Sequence, residues 1–345
     1  MNKKIKVLIV AFFLCIIGCA LFYINGIASV SSDDEEVVVT IESGQGVSSI
    51  IETLDDAGLI KNTLCAKIFV KINSYNNLQA NTYILNKNMS LNEIFSILED
   101  PDFEYLLSTK VTIIEGMTIP DVVDAYCEAV DDASSDEFYD LLSDESYLET
   151  LIENYWFLDE EILSEDIMYS LEGYLYPETY LLSVSDLSIE SFIESALDTM
   201  DVYLSDFKKA IEESDFSVHE LLTLSSIVES EALYDDDKAT IAGVFMNRLE
   251  IDMLLQSDVT VNYAWQKTGV DVTESELTID SPYNTYKYYG LPIGPIGAVT
   301  SSTIEATLNY EEHDYLYFFA KEDGEVIYSE TLAQHNAAIA EYKWY

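Results

Sequence analysis

The sequence predicts an α+β protein: an N-terminal transmembrane helix, a small β/α module, and then a larger α+β domain. Three observations carry this. Val7 to Ile27 is a run of 21 residues without a charge, long enough to cross a bilayer as a helix. Short β-branched runs that read as strands lie among longer helical patterns opened by capping residues. At 345 residues the chain exceeds one average domain.

The elements follow in order. Lys3, Lys4 and Lys6 precede the apolar run, and Asp33 to Glu36 follow it. That asymmetry places the N-terminus in the cytoplasm and the remainder outside. A cleaved signal peptide and a lipoprotein attached through Cys19 are the alternatives. The run lacks a clear small-x-small site and continues from Ala20 to Ile24 past the cysteine, which favours an uncleaved anchor spanning residues 1–28 with its tail. Residues 29–36 read as a linker. A strand at 37–41 leads through Gly44 and Gly46 to a helix at 47–57, closed by Gly58. A second helix covers 62–72 and a strand 81–85. Ser90 and Glu93 form a capping box for a helix that runs to Glu99, before Pro101. Residues 37–101 are thus one small module, and the larger domain covers 108–345. Its predicted elements are a strand at 110–114, a helix capped by Thr118 with Pro120 in its first turn, short acidic surface helices over 131–166 and an aromatic ordered loop at 171–180. Long helices at 189–213 and 218–233 follow, then a turn at Asp235–Asp237 and a helix at 238–249. Residues 256–297 are rich in Asn, Gln, Tyr, Gly and Pro and read as a cleft wall. A short helix at 303–308, a hairpin of 315–320 with 326–329, and a helix at 332–342 complete the chain.

Composition excludes several classes. All 64 acidic residues lie at or after Asp33, against 13 of the 16 basic ones, and the net charge is −48. Nucleic acid is excluded as a partner by that charge. A ligand must be held by stacking and hydrogen bonds. Arg248 is the sole arginine, following Asn247, and a planar five-donor fork in that position suits a fixed hydrogen-bonding role. Cys65 and Cys127 read as free thiols, and no CxxC occurs. The three histidines are too dispersed for a metal site, and no cofactor-binding glycine motif is present, so neither metal nor cofactor is expected.

One stretch draws the chemistry together: His219 to Leu233, HELLTLSSIVESEAL. Wound as a helix, it places Leu222, Ser226, Glu229 and Leu233 in one seam. An acid on a core-facing stripe is a candidate for a raised carboxyl, as a general acid at neutral pH requires. Glu231 is a rival on a stripe with Leu224, Ile227 and Val228. Either glutamate also fits an ordinary helix surface, and spacing alone does not choose.

The strings Ser226–Ala232 (SIVESEA), Gly243–Leu249 (GVFMNRL), Leu255–Asp258 (LQSD), Tyr283–Tyr286 (YNTY), Gly290–Pro292 (GLP), Tyr315–Phe318 (YLYF) and Leu332–Asn336 (LAQHN) resemble the endolytic murein transglycosylase, or YceG-like, family. The resemblance covers about residues 110–340, and Leu171–Gly173 with Tyr176–Pro177 fits as well. It implies a LysM-like identity for the small module and a catalytic role for the larger α+β domain. It further implies an enzyme outside the cytoplasmic membrane that cuts peptidoglycan glycan strands to 1,6-anhydro ends, with peptidoglycan synthases as candidate partners. The family's catalytic acid maps to Glu229, kept protonated by Ser226 and Leu222, with Glu231 in support. Gln256, Asp258, Asn284 and Tyr286 are expected to hold sugar hydroxyl and acetamido groups or to hydrogen-bond within their loops. Asn247 and Arg248 are expected to brace the loop behind the site. The chain departs from the family at Val259, Ile293 and Ala298–Thr300, where prolines or Asn-Pro-Gly are usual. A non-catalytic scaffold or glycan-binding protein is the alternative of a different class. A hydrolytic muramidase using Asp258 as second carboxylate is another.

Overall fold

The structure is a computed structural model that describes residues 3–75, 77–184, 187–267 and 272–342. The tips of the expected anchor and of the large domain, and residues 268–271 of the expected cleft wall, lie outside the described residues. The fold is mixed α+β with one long apolar helix at the N-terminus. The chain divides into two compact units, Met1–Lys110 with Leu181–Leu187, and Val111–Tyr180 with Ser188–Tyr345.

The first unit opens with α1 (Lys3–Ile27), followed by β1 (Glu36–Ile41), α2 (Val47–Asp56), α3 (Thr63–Asn73), β2 (Asn81–Asn86) and α4 (Leu91–Glu99). β1 and β2 pair antiparallel, from Glu36 opposite Asn86 to Ile41 opposite Asn81. Asn62 caps α3 through Cys65 N, and the Ser90/Glu93 capping box forms as its sequence predicts. Ile50, Leu54, Phe69, Tyr83, Leu85, Ile94 and Phe95 make the unit's core. The acidic stretch ahead of β1 is tied down: Ser31 N donates to Lys87 O, and Asp34 Oδ1 accepts from Asn86 Nδ2 at 2.5 Å.

From there the chain runs through β3 (Ser108–Thr112), α5 (Ile119–Ala129), α6 (Ser135–Leu142), α7 (Glu145–Asn154), β4 (Thr179–Ser183), α8 (Ile189–Glu213), α9 (Val218–Glu231), α10 (Asp235–Glu250), α11 (Asp258–Ala264), α12 (Ser301–Leu308), β5 (Tyr317–Ala320), β6 (Val326–Ser329) and α13 (Leu332–Tyr342). β3 pairs with β4, and β5 with β6. Helix α9 is the centre of the second unit: His219 and every residue from Leu221 to Val228 are buried. Its capping box, Ser217 with Glu220, fixes where it starts. α10 and α12 pack against it, and Leu224, Ile227, Val228, Ile241, Phe245, Leu255, Tyr263 and Tyr283 form the core beneath the site.

Three sequence expectations change. α9 ends at Glu231, so Leu233 leaves the seam and is 67 % exposed. Asp235–Asp237 do not form a turn but the first turn of α10, where three carboxylates meet the positive end of the helix dipole. Thr179 and Tyr180 leave the aromatic loop and open strand β4, which continues to Ser183, because β3 supplies a partner that local sequence does not reveal.

Candidate active site

The two glutamates at the C-terminal end of α9 face different surroundings. The Glu229 side chain is 5 % exposed and its Oε1 lies 2.9 Å from Lys238 Nζ. Its Oε2 accepts from Thr300 N at 2.9 Å, Thr300 Oγ1 at 2.7 Å and Thr303 Oγ1 at 2.6 Å. Lys238 is itself buried and also pairs with Asp235 at 2.6 Å. Burial pushes the Glu229 carboxyl up, but the hydrogen bonds from Thr303, Lys238 and Thr300 outweigh it and hold it below the usual range. The expectation that the seam keeps Glu229 protonated therefore fails. The Ser226 hydroxyl is not among the groups bonded to it: it donates to Thr223 O and accepts from Ile296 N.

Glu231 lines a cleft of about 430 Å³ together with Arg248, Gln256, Ser257, Asp258, Tyr286, Tyr317 and His335, floored by Phe245 and Leu255. Its Oε1 accepts from Ser257 Oγ at 2.6 Å. Burial raises the Glu231 carboxyl and the Asp258 charge raises it further, against the opposing pull of Ser257 and the Arg248 charge. This carboxyl, not that of Glu229, has the environment of a general acid.

The neighbouring side chains are held firmly. Tyr286 OH donates to Asp258 Oδ1 at 2.5 Å, and Asp258 starts α11. Gln256 has φ of 47°, a left-handed conformation uncommon for a side-chain-bearing residue; its N–H donates to Thr285 O. Arg248 donates from Nε to Leu316 O at 2.7 Å and from Nη1 to Leu255 O, with its guanidinium 5.3 Å from the Tyr317 ring centroid. Asn247 Nδ2 donates to His313 O at 2.7 Å and Tyr315 O at 2.9 Å. Both brace the loop that leads into β5. His335 stacks on Tyr317, burial holds its ring below the usual range, and its Nδ1 is buried without a hydrogen-bond partner among the described residues.

Asn284 does not reach the cleft. It is fully buried; its amide donates to Leu277 O and Ile279 O, both at 2.9 Å, and its Oδ1 accepts from Tyr286 N. It shapes the loop that presents Tyr286. A second cavity, of about 400 Å³, is lined by Ser230, Val259, Asn262, Tyr263, Ile296 and residues of the α5 N-terminus. The two cavities thus meet the same chain segments, the end of α9 and the start of α11. Behind the second, Glu172 accepts from Ile119 N with both oxygens and from Tyr263 OH, and burial pushes its carboxyl up to about 8.

Residues 39–341 match the sequence model of the YceG-like family. The chain belongs to the YceG-like family. It is 36 % identical over 330 residues to an endolytic murein transglycosylase of Bacillus subtilis, covering 95 % of this chain and 91 % of that one. A Streptococcus pneumoniae protein of the same name is 35 % identical over 322 residues, and the match covers 58 % of its length. A crystal structure of a YceG-like protein from Listeria monocytogenes superposes with a TM-score of 0.65 at 35 % identity, over 88 % of this chain and 99 % of that one.

The YceG-like motifs, and the positions where the chain departs from them, take places in the fold that their spelling does not show. Thr300, in a stretch where this chain departs from the family pattern, is the N-cap of α12 and a ligand of Glu229. Ile293 O accepts from His219 Nε2 at 2.8 Å, and Val259 lines the second cavity. Ser257 and His335 lie inside YceG-like motifs, but sequence reasoning assigned them no role. Lys238 could have been found as a lone cation after three aspartates, in a chain with few cations.

Proposed function

We propose that this protein is a membrane-anchored endolytic lytic transglycosylase with Glu231 as its acid and base. It cuts the β-1,4 bond between N-acetylmuramic acid and N-acetylglucosamine in nascent glycan strands. The naming of its relatives supports the reaction. The observation that carries the residue assignment is the raised Glu231 carboxyl in the cleft, against a Glu229 locked in an ion pair. Protonated Glu231 gives its proton to the glycosidic oxygen as the C1–O bond breaks. The resulting carboxylate takes the proton of the muramic acid 6-hydroxyl, whose oxygen attacks C1. The product is a 1,6-anhydro end, no water is consumed, and Glu231 is protonated again. One carboxyl group suffices where hydrolysis canonically uses two. Gln256, Asp258 and Tyr286 bind sugar hydroxyl and acetamido groups. The strand passes both cavities, which suits cleavage within a strand, and release of nascent strands ends their elongation.

Helix α1 is the anchor, with a cytoplasmic N-terminus and both units outside. The β1-α2-α3-β2 order supports a LysM-like module. A peptidoglycan synthase is a fitting partner, since it supplies the nascent strand.

The deciding experiment incubates the full chain with un-crosslinked glycan strands and reads the products by mass spectrometry. Internal cuts with 1,6-anhydro ends are expected from the wild type. Glu231→Gln, folded, should lower the rate by roughly 10²-fold or more. Reducing ends lost on Asp258→Asn would assign a hydrolase instead. Full activity in Glu231→Gln would sink the residue assignment.

A further inference from the structure

The small unit carries a surface that the glycan chemistry does not use. From Ala57 to Asn92 the sequence has no acidic residue, while it has four lysines, Lys61, Lys67, Lys71 and Lys87, in a chain of net charge −48. Within this span lies α3, which turns Cys65, Ala66, Phe69 and Val70 into the core. Beside that buried face, Leu64, Ile68 and Ile72 are spaced four apart and form one stripe. They are 61 %, 42 % and 67 % exposed. Lys67 and Lys71 border the stripe on the side away from the core. No helix or strand of the described unit covers it.

The place of α3 against α1 says what does. The last turns of α1 pack on the start of α3. Gly26 lies so close to Cys65 and Asn62 that a Cβ there would overlap Cys65 Sγ. Cys65 Sγ is 4.0 Å from Phe22 O, and Lys61 Nζ donates to Ser29 O at 3.3 Å. Tyr23 and Ile27 of α1 join the unit's core, whereas Leu21, Phe22 and Ile24 stay exposed. On the α3 helical wheel the stripe falls between the α1 contact at Cys65 and the lysines. It therefore adjoins the exposed apolar surface of α1 where α1 leaves its apolar span.

We propose that α3 is a membrane-contact helix, with Leu64, Ile68 and Ile72 seated in the interface of an anionic phospholipid bilayer beside α1, and Lys67 and Lys71 on its phosphates. The acid-free span spares α3 itself the repulsion that the remainder of the chain would meet at an anionic membrane. An apolar stripe bordered by lysines is the pattern of a helix lying in a bilayer interface. Lys67 also lies 3.8 Å from Glu52, so Lys71 carries the freer charge. The inference rests on the reading of α1 as an anchor.

The test places bimane on single cysteines in the full chain, with the native cysteines replaced, reconstituted in phosphatidylglycerol vesicles containing nitroxide-labelled lipid. Leu14→Cys reports on the anchor, Leu64→Cys, Ile68→Cys and Ile72→Cys on α3, and Glu212→Cys on the exposed surface of α8. Several-fold stronger quenching at the α3 positions than at 212, with strong quenching at 14, supports the proposal. Quenching at 14, with the α3 positions as unquenched as 212, overturns it and leaves the anchor standing. No quenching at 14 removes the anchor and the proposal together. Should the cysteine-free background misfold, Ile68→Trp in the native background, quenched by brominated lipid beyond the native tryptophans, gives the same decision.

Discussion

Glu229 and Glu231 are two residues apart on one helix, so their side chains leave it about 200° apart. One points to α10 and α12, the other into the cleft. Removing the first leaves Lys238 as a buried cation with only exposed Asp235 as a carboxylate partner. Glu229→Ala should therefore cost roughly 3–5 kcal/mol in a denaturant titration, while Glu229→Gln, which keeps an acceptor for Thr300 and Thr303, should cost less. The second glutamate is tuned by Asp258, whose charge raises it. Asp258→Asn should move the alkaline limb of the pH–rate profile to lower pH, because Glu231 then ionises more easily. Glu172 offers a separate pH test, on stability. Its carboxyl is pushed up to about 8 in the folded protein, so the folded state holds a proton that the unfolded chain releases near an ordinary glutamate value. Its contribution is fully present below the ordinary glutamate range and is lost progressively as pH rises from there to about 8. Glu172→Gln should flatten that decline in melting temperature across the same window.

Among the elements, α10 does the bracing. Asn247 and Arg248 near its C-terminal end donate to the backbone of the stretch from His313 to Leu316, which sets the start of β5 and so the cleft wall at Tyr317. Gly243 lets that stretch approach: a Cβ there would overlap Glu311 O and come within 2.8 Å of His313 Nε2. Gly243→Ala should destabilise the protein by about 1–3 kcal/mol despite alanine's better helix propensity, as read by chemical denaturation. α12 is held in another way, its N-cap Thr300 being shared with Glu229. Thr300→Val loses the cap and one carboxylate donor at once.

For the whole molecule, a net charge of −48 means strong self-repulsion. Added sodium chloride screens charges beyond roughly 8–10 Å at 0.1–0.15 M. A thermal midpoint that rises with salt is the expected outcome, since the repulsion is spread over the surface whereas the ion pair at Lys238 is buried. The proposed anchoring by the apolar helix α1 predicts that the chain is extracted from native membranes by detergent but not by alkaline wash.

Most helices and strands, the capping box at Ser90, the long apolar run and the family motifs were legible in the sequence, because each depends on residues within a few positions of one another, whereas β4 and α11 were not. The surroundings of each glutamate were not. Helical spacing states which face a side chain leaves from, and not what closes over that face. The groups that close over Glu229 come from Thr300 and Thr303, about seventy residues downstream. Ser257 and Asp258 make the surroundings of Glu231. For Asn284 the sequence left sugar binding and loop-internal hydrogen bonds open for the same reason; in the fold its amide is taken by Leu277 and Ile279. The contrast between the two carboxyls belongs to the tertiary structure, since a carboxyl's proton affinity is set by the burial and charges brought to it in space.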